Sequence, residues 1–253
     1  IYQRTGTPVH PMSPLCKIAW LEHDVPEIAA KTHKYIGIKE YVFFRLFGEF
    51  AVDVSIASCT GLMNLESMNW DPKALQVAGI TEEKLSRIVP TREVFTGCNP
   101  SFAEQMGILP ETPFVIGASD GVLSNLGVGA VKKGEVAVTI GTSGAIRTVI
   151  DKPQTDPKGR IFCYALTEDH WVIGGPVNNG GIVLRWIREE LAAAEAETAK
   201  SFGIDPYDAL TKIAGQVQPG ADGLLFLPYL SGERAPLWNA DVRGSFVGLT
   251  LSH

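Results

Sequence analysis

The chain has 253 residues, 45% of them hydrophobic, enough to bury a core as one large domain or two smaller ones. A formal net charge of −6 without any basic run excludes nucleic acid as the main partner, because binding a phosphate backbone needs clustered Lys and Arg. No apolar stretch reaches the roughly 18–20 residues of a membrane-spanning helix, so no membrane partner is expected. Cys16, Cys59, Cys98 and Cys163 lack paired spacing, which suits reduced thiols in a cytoplasmic protein better than disulfides or a zinc site.

Residues 1 to about 110 read mainly as helix. Ser13-Pro14 is an N-cap followed by proline in the first turn, with Leu15, Ile18 and Leu21 giving a partial apolar face around Trp20. A second helix is expected over 37–47 (GIKEYVFFRLF), closed by Gly48. Asp71-Pro72 repeats the cap-then-proline signal before Ala74, Leu75 and Val77. Thr81 with Glu82 and Glu83 starts another short helix, since acids suit a helix N-terminus. Residues 89–96 (VPTREVFT) run as a strand or extended linker toward Pro100. His10, in a Pro-rich segment before the first helix, reads either as a loop histidine or as a polar group presented to an anionic or hydroxylated ligand.

From 111 onward the pattern turns to α/β. A strand over 113–116 leads through Gly117-Ala118-Ser119-Asp120-Gly121 into a helix expected over 122–131. Gly117-x-Ser119-x-Gly121 matches the nucleophile elbow of serine hydrolases. Its downstream partners would be Asp169 and His170. Adjacent residues in a β run point to opposite faces, which makes Asp169 a poor orienter for His170, and no HGGG-type loop is present. Alternatively Asp120 is a base that accepts a hydroxyl proton during phosphoryl transfer; by spacing alone it reads equally as a helix cap.

Strands over 135–140 and 145–150 flank Gly141-Thr142-Ser143-Gly144, which is either a hairpin turn or a phosphate cradle built from backbone N–H groups and hydroxyls. It is not a P-loop, and Gly127-x-Gly129 does not complete a dinucleotide fingerprint. Further strands are expected over 160–166 and 170–173. Gly174 to Gly181, either a flexible linker or a place where a ligand approaches the backbone, opens a helix from Ile182 to about Lys200. Asp205-Pro206 caps one more helix, 223–227 reads as a buried-type strand, and 229–243 (YLSGERAPLWNADVR) is a long loop of the kind that is often functional.

Taken together, these segments resemble the FGGY family of carbohydrate kinases, and most closely its gluconate kinases. The likeness spans the whole chain. It rests on Thr7-Pro-Val-His-Pro-Met-Ser-Pro14 with Lys17 and Trp20, Gly37-Ile-Lys-Glu-Tyr41, Ala57-Ser-Cys-Thr-Gly61 and Ile116-Gly-Ala-Ser-Asp-Gly121. It continues through Ile140-Gly-Thr-Ser-Gly144, Gly174 to Trp186, Ser231-Gly-Glu-Arg-Ala-Pro236 and Arg243-Gly-Ser-Phe-Val-Gly-Leu249.

The resemblance implies an α/β, ribonuclease-H-like (actin-like ATPase) two-domain sugar kinase with both domains incomplete. Residues 1–111 would be the C-terminal part of the first domain and 112–253 the N-terminal part of the second. It implies ATP and Mg2+ as cofactors, a small sugar acid as the other partner, and domain closure that excludes water. Asp120 would be the catalytic base, close to the magnesium and to the substrate. Gly141 and Thr142 would contact the transferred phosphoryl group, Gly181 and Leu184 would line the nucleotide, and Met12 and His10 would border the sugar. The expected reaction is ATP-dependent phosphorylation of D-gluconate to 6-phosphogluconate. Xylulose or ribulose as acceptor, a hydrolase at Ser119, and a non-catalytic actin-like scaffold are the alternatives. A homodimer is compatible with a sequence that does not set its oligomeric state. The opening at Ile1 and the β-like run into His253 read as the cut ends of a fragment, expected to be inactive in isolation.

Overall fold

Local caps start the helices. Ser13 Oγ accepts the Cys16 N–H at 3.4 Å and Pro14 begins α1 (Pro14–Asp24). In α2 (Ile38–Phe47) the Glu40 carboxylate reaches back to the Gly37 N–H at 2.7 Å, and Gly48 ends the helix with φ 75. Asp53 caps α3 (Val54–Ser58) through the Ile56 N–H, and Asp71 caps α4 (Pro72–Ala78) through the Lys73 and Ala74 N–H groups. The Thr81 segment makes only a 3-10 turn, Glu82–Lys84, with no side-chain cap. A further helix, α5 (Pro100–Met106), lies where the sequence reading stopped at Pro100. Asn99 caps it through the Ser101 N–H, the same Asx-Pro signal that marks α4.

The structure, a computed structural model, describes residues 1–251 and 253, and the chain forms two units. The first comprises residues 1–137 and 147–174; the second comprises residues 138–146 and 175–253. The chain passes between them within three strands of a four-stranded sheet, β5 (Val136–Ile140), β6 (Gly144–Ile150) and β8 (Trp171–Val177); with β7 (Phe162–Ala165) the order is β5-β6-β8-β7.

The first unit carries the large core. β1 (Ala51–Asp53) pairs in parallel with β2 (Arg87–Val89), and β3 (Val94–Phe95) pairs antiparallel with β4 (Phe114–Val115). Leu15 and Ile18 of α1 pack with Leu62, Met63, Trp70 and Leu75, while Trp20 stays 56% exposed instead of centring that face. Phe43, Phe47, Phe95 and Phe114 form an aromatic cluster with ring centroids 5.0–5.5 Å apart. α6 (Asp120–Gly127) buries Val122 among Val149, Phe162, Leu166 and Val172. It is shorter than the 122–131 expected, because Gly129 turns left-handed at φ 74 just beyond it.

In the second unit the long helix expected from Ile182 is broken. α7 (Ile182–Trp186) runs into a π turn (Ile187–Leu191), and α8 (Ala193–Ser201) follows. α9 (Pro206–Ala214) is capped by Asp205 at the Tyr207 N–H. β9 (Leu225–Leu227) pairs antiparallel with β10 (Ser245–Val247) and is not buried: Leu225 is 62% exposed, because this sheet has only two strands. Trp186, Phe226 and Phe246 stack in sequence at 6.2 and 4.4 Å. Among the described residues no helix is long and apolar enough to cross a membrane.

Candidate active site

Each unit presents part of the chemistry read from the sequence. In the first, a run of buried contacts ends at Asp120. Lys39 pairs with the fully buried Asp53 at 2.6 Å, and Asp53 caps α3. Within α3, the Ser55 hydroxyl accepts the Ser119 N–H at 3.2 Å. Gly117, at φ 71, turns the chain after β4, and its N–H donates to the Thr91 carbonyl at 3.0 Å. Ser119 is the N-cap residue of α6, and its carbonyl accepts the Val122 and Leu123 N–H groups. Asp120 then stands exposed as the first residue of α6, where a negative charge is favoured by the helix dipole.

Among the described residues, Arg147 is within electrostatic reach of that carboxylate. Arg147 is half-buried, and its Nη1 donates to Ser124 Oγ at 3.2 Å, one turn along α6 from Asp120. Burial lowers the Arg147 pKa from its ordinary value, and the Asp120 charge pulls it back up.

His10 lies in a groove of about 500 Å³ with Val9, Pro11, Cys16, Lys17 and Trp20. Its Nδ1 accepts the Met12 N–H at 3.2 Å, and the Met12 side chain is 57% exposed. The described residues contain no group of three or more His, Cys, Asp or Glu able to hold a metal ion. Asp120 would supply one carboxylate, a donor set that would suit a magnesium held mostly by phosphate oxygens and water rather than a protein cage.

The hydrolase arrangement is not assembled. Ser119 is buried, and no hydrogen bond joins it to His170 among the described residues. Asp169 does meet His170, at 3.0 Å, contrary to the expectation of opposite faces. The pair lies in the turn between β7 and β8, where strand alternation does not apply. Both side chains are half or more exposed there. Burial pushes the nearby Cys59 thiol up to about 12, even with hydrogen bonds to Ser119 and Ser58 opposing the rise, so it stays a neutral thiol.

In the second unit, two glycine-rich segments dock backbone to backbone. The Gly181 N–H donates to the Gly141 carbonyl at 2.7 Å, and the Gly180 and Ile182 N–H groups both donate to the Thr142 carbonyl at 3.2 Å. The Gly141 N–H donates to the Ser143 carbonyl at 2.8 Å. The turn therefore uses its carbonyls to satisfy the start of α7. Thr142 and Ser143 are exposed, and among the described residues neither N–H finds a partner. Only glycine permits this approach: a Cβ at Gly180 would lie 2.6 Å from the Ser143 carbonyl, and one at Gly181 2.8 Å from the Gly141 oxygen. Leu184 sits in the first turn of α7, 46% exposed. A group that the sequence reading passed over is Glu233, a buried carboxylate inside the loop it had flagged over 229–243.

Comparison with known proteins is consistent along the whole chain. The model for the FGGY family of carbohydrate kinases, N-terminal domain, matches residues 1–127, and that for the C-terminal domain matches residues 136–253. The chain is 72% identical over 253 residues to gluconokinase of Bacillus subtilis, covering 100% of this chain and 49% of that protein. The crystal structure of gluconate kinase from Lactobacillus acidophilus superposes with a TM-score of 0.93 at 42% identity, over 100% of this chain and 49% of that one. A ligand-bound xylulose kinase from the same organism gives 0.92 at 42%, with the same coverage. The chain thus spans about half the length of the relatives it matches, with their two-domain mix of helices and sheets. It belongs to the FGGY family of carbohydrate kinases.

Proposed function

We propose that this chain serves an ATP-dependent kinase that phosphorylates the primary hydroxyl of an open-chain sugar acid, D-gluconate, giving 6-phosphogluconate. The observation that carries the reading is 72% identity to a gluconokinase along the full 253 residues. Asp120, an exposed carboxylate at a helix start, accepts the hydroxyl proton as that oxygen attacks the terminal phosphorus of ATP; the bond to the ADP oxygen breaks. Thr142 offers an unpaired N–H and a hydroxyl to phosphoryl oxygens, and Ser143 a second N–H. Magnesium, when bound beside Asp120, neutralises charge on the phosphates.

Gly181, whose N–H is already engaged by Gly141, contributes by close approach rather than donation, and the exposed Leu184 side chain gives the nucleotide an apolar surface. His10 and Met12 border the sugar, and Lys17 brings a positive charge to the same groove, which suits an acidic substrate. The enzyme works in the cytoplasm on small molecules, without nucleic acid or membrane as partner.

Xylulose remains the competing acceptor, because the xylulose kinase structure matches as well as the gluconate kinase one. The deciding experiment uses the natural full-length gene product and compares gluconate, xylulose, ribulose and glycerol as acceptors. Gluconate is expected to give the highest kcat/KM, and preference for a neutral sugar would overturn the acceptor assignment. Asp120→Asn is expected to lower kcat by roughly 10²–10⁴-fold, the usual worth of a general base. An unchanged kcat removes Asp120 from that role.

A further inference from the structure

Within the second unit, the segment that docks onto the Gly141–Gly144 turn is held along its length by residues 231–235. Glu233 is the centre of that hold. Its carboxylate is 5% exposed; Oε1 accepts the Asn178 N–H at 2.6 Å and the Arg234 N–H at 2.8 Å, and Oε2 accepts Asn179 Nδ2 at 3.1 Å. Arg234 adds Nε to Asn178 Oδ1 at 2.7 Å and Nη2 to the Val177 carbonyl at 2.9 Å. Asn179 ties back through its Nδ2 to the Gly232 carbonyl at 2.8 Å, and its Oδ1 accepts the Ser231 N–H at 3.2 Å. The Ala235 N–H donates to the Pro176 carbonyl at 2.9 Å, and Gly175 leaves room for Ala235, whose Cβ would lie 2.6 Å from a side chain there.

Directly after Asn179 come the three N–H groups, of Gly180, Gly181 and Ile182, that bind the carbonyls of Gly141 and Thr142. A buried carboxylate therefore fixes two consecutive residues, and the next three fix the turn. Charge-assisted bonds to a buried carboxylate are strong and directional, so this path leaves the turn little freedom.

We propose that Glu233 is a positioning residue for the phosphoryl-contacting turn. Acting through Asn178 and Asn179, it holds the start of α7 so that the Gly141 and Thr142 carbonyls are engaged and the Thr142 and Ser143 donors face outward. Arg234 braces the same backbone from the Val177 side. This inference rests on the proposed role of the turn in binding the phosphoryl group.

The test uses the natural full-length protein and varies ATP and gluconate independently. Glu233→Ala is expected to lower kcat/KM for ATP by roughly 10–100-fold, the scale of a misplacement of about 1 Å, while the KM for gluconate stays near wild type. Glu233→Gln keeps an oxygen for Asn178 and Arg234 and loses only the Asn179 bond, so it is expected to recover most of the loss. Where the alanine variant fails to fold, Glu233→Gln carries the test: the residual loss from the missing Asn179 bond is expected in kcat/KM for ATP alone, and wild-type ATP kinetics would overturn the role.

A double-mutant cycle with Thr142→Ala supplies a readout that general destabilisation would not move. If Glu233 acts through the turn, the Glu233 substitution costs less in the Thr142→Ala background than in the wild type. Strict additivity, or an equal rise in both KM values, overturns the positioning role while leaving the turn assignment standing. Wild-type kinetics for Thr142→Ala itself would instead overturn the part given to the Thr142 hydroxyl in the turn assignment.

Discussion

Gly180→Ala probes the docking of the two glycine-rich segments with the smallest possible change. The added methyl carbon would lie 2.6 Å from both the carbon and the oxygen of the Ser143 carbonyl and 2.9 Å from the Gly141 oxygen. Ordinary contact begins at 3.4 Å, so the turn and the start of α7 must separate by 3.4 − 2.6 = 0.8 Å. The Gly180 φ lies outside the left-handed region, so alanine there adds no backbone strain and the effect is steric alone. Overpacking of this size costs about 1–3 kcal/mol, a melting shift of a few degrees in a chain this long. The functional effect is larger, because a shift approaching 1 Å at groups contacting the transferred phosphate costs up to about 10²-fold in rate. A coupled assay of gluconate-dependent ADP formation, read against ATP concentration and alongside thermal melts, is expected to show kcat/KM for ATP falling roughly 10–100-fold. Gly127→Ala, where an added Cβ meets nothing within 4 Å, is the control and is expected to leave those kinetics unchanged. Wild-type ATP kinetics in the folded Gly180→Ala protein would refute the claim that this close approach shapes the turn.

Two further predictions concern the first unit. Burial alone would raise the Asp71 pKa, but Arg4 at 2.6 Å, Asn64 at 2.8 Å and the Ala74 N–H at 2.9 Å outweigh it and lower the pKa from 3.8 to about 2. A depressed carboxylate contributes stability above its unfolded pKa and loses it as pH falls from about 4 to about 2. Because Arg4 is 41% exposed and screened by solvent, the contribution is about 1 kcal/mol rather than the full value of the shift. Urea unfolding at pH 6 and pH 2.5 is expected to show a shallower pH dependence for Asp71→Asn, and an unaltered one would refute the assignment. For Ser119, buried and unconnected to His170, a fluorophosphonate probe is expected to leave the native protein unlabelled. Labelling of the wild type above the Ser119→Ala background would restore the hydrolase reading.

The Asx-Pro and Ser-Pro caps were legible because the chemistry that makes them is local. A side-chain oxygen at Ser13, Asp71 or Asp205 reaches an N–H two or three residues on, whatever the rest of the chain does. The Asn99–Pro100 cap carried the same signal and could have been read the same way. Asp120 was visible as the start of a helix, and its chemical role came from the resemblance, since helix position alone does not separate a cap from a base. The exposure of β9, the break after Trp186 and the meeting of Asp169 with His170 were not legible, because sequence pattern reports periodicity and not which faces find partners.

What the sequence by itself determined is the family, the cap-defined helix starts and the glycines at 180 and 181. What only the tertiary structure decided is why those glycines are needed: the carbonyls of Gly141 and Ser143 close against them across some forty residues of chain. It likewise decided that Glu233, more than fifty residues beyond Asn178 and Asn179, holds them in place. Contacts at such separations depend on how the intervening elements pack, which no local pattern encodes.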